Sequence, residues 1–96
     1  MNTKEAYKQK IEAELELAQA RLAEFKAKAK ISTADARIKY AKQIDELEQK
    51  IDATKAKLKE LGEASEDAWE RLKDGVESAW GALRTAVRDT TAKFKD

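Results

Sequence analysis

Apolar side chains recur along the first part of the chain at Ile11, Leu15, Ala18, Leu22, Phe25 and Ala29, in alternating steps of four and three. That spacing puts them on one helical stripe and predicts a coiled-coil seam. The seam resumes at Tyr40, Ile44, Leu47, Ile51, Thr54, Leu58 and Leu61. Thr33 and Ala36 join the two halves if two extra steps of four are allowed, which unwind a supercoil locally without ending the helix.

A second pattern runs beside the first. Ala6, Ala13, Ala20, Ala27, Ala34 and Ala41 recur every seventh residue, with Leu17, Ile31 and Ile38 at an intervening position of the same heptad. At about 100° per residue this stripe points nearly opposite Leu22 and Phe25, giving the segment two apolar surfaces. The unbroken Ala repeat favours one helix from about residue 3 to 61. Against it, Ser32 with Asp35 three residues on has the form of a capping box, which would start a new helix and yield three.

The clearest break falls after Leu61. Gly62 suits a left-handed position beyond a helix C-terminus, and Ser65 suits the N-cap of the next helix. The predicted turn is 62–65. Beyond it, EDAWERLKDGV (66–76) is followed by ESAWGALRTAV (77–87) and a partial third copy, a period of eleven. Trp69 thus matches Trp80, Leu72 matches Leu83 and Phe94, and Val76 matches Val87, all on one face of a helix expected to run to about residue 94.

The expected fold is a single all-α domain. The preferred architecture is an antiparallel helical hairpin with a long first helix, and the alternative is a three-helix bundle with an extra break at 31–33. Ile44, Leu47, Ile51, Leu58 and Leu61 would pack internally against Trp69, Leu72, Val76, Trp80, Leu83, Val87 and Phe94. In the hairpin, the uncovered half of the long helix would meet a partner through Ile11, Leu15, Leu22 and Phe25 on one side. Ala13, Leu17, Ala20, Ala27, Ile31, Ala34 and Ile38 would do so on the other.

Composition narrows the function. The chain is 42% hydrophobic, much of it Ala, and 41% charged, with a net charge of +1 and no Pro. Helix formers dominate, and charge this balanced draws neither polyanions nor polycations over long range. Without Cys or His, thiolate chemistry and the commonest general base and metal ligand are missing. The carboxylate pairs Glu12/Glu16 and Glu66/Glu70 lack the Glu-x-x-His that helical di-metal sites use. No enzyme activity, metal, cofactor or small-molecule substrate is expected. Lys26, Lys28 and Lys30 fan outward on a helix and make a poor nucleic-acid stripe.

The first ten residues are polar, with no signal-peptide core, and no stretch reaches the ~18 apolar residues of a membrane span. A cytoplasmic location is expected.

The segments ADARIKYAKQIDEL (34–47) and ASEDAWERLKDGVESAWGAL (64–83) resemble those of a widespread family of small bacterial coiled-coil proteins grouped with a cyanobacterial stress-response protein. The paired DAW and SAW repeats are the most specific part, and the likeness spans essentially the whole chain. It implies a helical cytoplasmic protein with no assigned enzymatic activity and no binding residues to carry over. Ile31-Ser32-Thr33 departs from the Ala-rich pattern of family members there.

The expected function is non-catalytic assembly or scaffolding, by self-association or by docking to a larger client. The alternative is a lipid-surface protein whose eleven-residue Trp repeats lie in a membrane interface, a period shared with apolipoproteins and desiccation-protective proteins.

Overall fold

The computed structural model describes residues 3–94, nearly all of them helical. Three helices follow one another: α1 (Thr3–Lys30), α2 (Ala34–Glu63) and α3 (Trp69–Lys93). They pack side by side into a rod of 51 × 19 × 18 Å. The fold is therefore the all-α three-helix bundle.

The long first helix does not form, because the chain turns back at residues 31–33. Its new start is set by local hydrogen bonds. The Thr33 hydroxyl accepts from the Ala36 backbone N–H at 3.3 Å, and Thr33 takes extended angles of φ −64° and ψ 162°. Thr33, not Ser32, is thus the N-cap. The Ser32 hydroxyl instead looks backward and donates to the Ala29 carbonyl at 2.6 Å. Arg37 donates to the Lys30 carbonyl at 3.0 Å and so satisfies one of the acceptors that the end of α1 leaves open.

The turn between α2 and α3 also differs from expectation. Gly62 lies inside α2, and no described residue has a positive φ. The exit is made by Ala64 in extended conformation, whose carbonyl receives the Lys4 ammonium at 2.6 Å. Ser65 does cap the turn that follows, its hydroxyl accepting from the Ala68 N–H at 3.2 Å. Regular α3 begins only at Trp69.

Folding at residue 31 brings the two halves of the seam face to face. Ile11, Leu15, Ala18, Phe25 and Ala29 from α1 meet Leu47, Ile51, Leu58 and Leu61 from α2, and Trp69, Val76, Leu83 and Phe94 close the third side. Thr54 is fully buried in this core, and its hydroxyl is satisfied by donating to the Lys50 carbonyl at 2.9 Å. Aromatic pairs mark both ends. Phe25 and Tyr40 stack on Phe94 at 5.1 and 4.0 Å between centroids, and Tyr7 meets Trp69 at 6.2 Å.

Candidate functional site

Ile11, Leu15 and Phe25, expected on a partner-facing surface, are instead core residues of the bundle, and Leu22 packs half-buried against them. The reason is the turn at 31–33: once α2 folds back and α3 returns, the main seam of α1 is covered within one molecule. What remains outside is the second stripe. Ala13, Ala20, Ala27 and Ala34 are all exposed, and the large side chains that share the stripe are the most exposed apolar groups of the described chain: Leu17 at 63%, Ile31 at 87% and Ile38 at 75%. The turn divides them. Ala13, Leu17, Ala20 and Ala27 form a strip along α1, Ile31 sits at the tip, and Ala34 and Ile38 continue on α2.

The residues expected to pack internally separate into two groups. Leu47, Ile51, Leu58, Leu61, Trp69, Val76, Leu83 and Phe94 are buried, whereas Ile44, Leu72, Trp80 and Val87 are half-buried at its edge. On a helix of 3.6 residues per turn, an eleven-residue repeat advances its face by about 20° per copy. This drift carries one edge of the apolar face out of the core and the other edge in, so that Leu83 is buried where its counterpart Leu72 is half-buried. Trp69 and Val76 are therefore buried while their counterparts Trp80 and Val87 reach the surface beside α1.

There a groove opens between α1 and α3, with a volume of about 390 Å³. Leu17, Ala18, Trp80, Leu83 and Val87 make its apolar floor and lip. Arg21 borders it from α1 and Arg84 and Arg88 border it from α3, with Glu14 the single carboxylate. Arg84 lies over the Trp80 ring, 5.3 Å from its centroid, a cation–π contact that fixes the guanidinium at the edge. Arg21 reaches Glu24 at 3.6 Å. Arg84 and Arg88 form no ion pair among the described residues. Sequence periodicity alone assigned Trp80 and Val87 to the interior. The signal that relocates them is the mismatch between a repeat of eleven and the turn of a straight helix.

Other chemistry is sparse. Among the described residues no three carboxylates converge where they could hold a metal ion. Lys26 and Lys28 are held by Glu48 at 2.8 Å and Glu24 at 3.3 Å, so the basic run is largely neutralised. At the opposite end, the Tyr7 hydroxyl is shielded from water and makes no hydrogen bond, with the Lys73 ammonium 5.2 Å from the ring centroid. Burial, helped by the negative charges of Glu77 and Asp74, pushes its pKa up to about 12. Trp69, at 6% exposure, is not placed to touch a lipid surface. No helix among the described residues is long and apolar enough to cross a membrane.

No family model, no curated protein and no solved structure matches this chain.

Proposed function

We propose that this chain is a non-catalytic helix-docking protein, an assembly or accessory factor that acts by packing the outer face of α1 against a helix of a second copy or of a larger client. The observation that supports this is the exposure of Leu17 within a strip of exposed Ala residues. Ala13, Ala20 and Ala27 present only methyl groups, so a partner helix can approach closely. Leu17 then supplies the large apolar side chain that such a contact would bury, a gain of about 1.5–3 kcal/mol for a leucine. Ile31 and Ile38 extend the same apolar surface around the turn. The resemblance to small bacterial coiled-coil proteins grouped with a cyanobacterial stress-response protein is compatible with this reading, and we place the protein in the cytoplasm.

The test is solution mass by light scattering across a dilution series, with binding to any client that co-purifies, for the natural chain and for Leu17→Glu and Ala20→Glu. Both positions are exposed, so the variants should fold. Association should be saturable, insensitive to salt and lost in both. Association that survives both changes, or a clean monomer that captures no client, removes the proposal.

A further inference from the structure

We propose that the groove between α1 and α3 binds a single-chain amphipathic anion, of the class of a long-chain carboxylate, with its apolar chain on the Trp80 floor and its head among three arginines. This site shares Leu17 with the helix-docking strip but extends from it around the other side of α1. Around α1, Glu14, Ala18 and Arg21 lie on one side of Leu17, and Ala13, Ala20 and Ala27 lie on the other.

The register of the two helices places the charges. Tyr7 sits beside Trp69 and Phe25 beside Phe94, so α1 and α3 run parallel. Arg21 is therefore level with the turn of α3 that carries Arg84 and Arg88, and Glu14 is level with the preceding turns. Arg21 and Arg88 thus lie towards the Thr91 end of the groove, Arg84 lies one turn nearer its middle, and the lone carboxylate lies towards the other end. Three like charges within about one turn repel one another, and among the described residues only Arg21 has a carboxylate partner, at 3.6 Å. An anionic head group between them relieves that repulsion and takes hydrogen bonds from planar guanidinium donors.

The apolar part selects the rest of the ligand. The floor is continuous from Leu17 and Ala18 to Leu83 and Val87, and the volume of about 390 Å³ falls within the range of small-molecule sites. From Trp80 to Thr91 α3 rises about 16 Å, and from Glu14 to Arg21 α1 rises about 10 Å. That length suits a medium to long alkyl chain, whereas a docked helix would be held along only two or three turns.

The experiment follows Trp80 emission in the full chain carrying Trp69→Phe, titrated with sodium dodecanoate below its micellar concentration, with calorimetry for stoichiometry. A saturable blue shift at one equivalent is expected. Arg84→Gln with Arg88→Gln should weaken binding by roughly tenfold or more, and dodecanol should bind about as poorly to the natural groove. Circular dichroism checks the fold of the double variant. Arg88→Gln alone, at an exposed side chain without an ion pair, gives a second and milder reading. The proposal is overturned by non-saturable binding, by equal affinity for the alcohol, or by unchanged affinity in the arginine variants. A response to phosphatidylglycerol vesicles but not to monomeric dodecanoate would assign the groove to a membrane surface instead. Loss of the response in a stable self-associated form, with no binding by the monomer, would assign it to a helix of a second copy.

Discussion

Phe25 stacks on Phe94 with 5.1 Å between ring centroids, joining α1 to the last described residue of the chain. Tyr40 stacks on the same ring at 4.0 Å. The C-terminal aromatic thus ties all three helices together at the end where α1 turns into α2. Phe94→Ala should destabilise the bundle by about 3 kcal/mol, the low end of the cost for a buried Phe, with Phe94→Leu recovering much of it. Urea denaturation measures both. A loss under about 1 kcal/mol would mean that this end is already frayed in solution.

Thr33 carries the turn that converts an expected hairpin into a bundle. Its hydroxyl accepts from Ala36, so Thr33→Ala should cost about 1 kcal/mol, while Thr33→Ser and Thr33→Asp keep stability near that of the natural chain. Thermal unfolding of the three variants provides the check. Equal loss in all of them would show that shape at this position, and not the cap, fixes the turn.

The difficulty of reading residues 31–33 has a physical source. The Ala heptad keeps its register across the turn, but its members are exposed and bury nothing within the bundle, so the repeat carries no information on where the bundle turns. The seam carries the packing, and of its two extra steps of four the one from Ala29 to Thr33 falls at the turn, while the other, at Tyr40 to Ile44, lies inside α2. Helical content, the two halves of the seam and the turn near residue 65 were legible because each depends on near neighbours in sequence. The groove was not. It arises from a drift of about 20° accumulated over eleven residues, which leaves the sequence with one apolar face but moves Trp80 and Val87 to the edge of the core while Leu83 goes further in than Leu72. Gly62 misled for a related reason: glycine is compatible with a left-handed exit but does not require one.

Gly62 and Gly81 give a direct comparison. Both lie inside helices; a methyl group at Gly62 would meet only the flexible Lys8 side chain at 3.5 Å, and at Gly81 it would meet nothing within 4 Å. Gly62→Ala and Gly81→Ala should therefore each stabilise the fold by about 0.5–1 kcal/mol through helix propensity. A left-handed Gly62 would make the first substitution destabilising instead. Chemical denaturation of the two variants distinguishes these outcomes by sign.

Tyr7 makes stability sensitive to alkali. Burial and the nearby carboxylates of Glu77 and Asp74 raise its pKa from 10.0 to about 12 in the folded chain. Below pH 10 folded and unfolded chains both keep the phenol proton, and the group favours neither. Between pH 10 and 12 the unfolded chain releases it while the folded chain still holds it, so stability falls as pH rises through that window. Tyr7→Phe abolishes this contribution. At neutral pH the variant should lie within about 1 kcal/mol of the natural chain, because the hydroxyl it removes makes no hydrogen bond. As pH climbs past 10 the variant's Tm should gain steadily on that of the natural chain. A Tm difference that stays constant from neutral pH to pH 12 would show that the phenol ionises as readily in the bundle as in the unfolded chain.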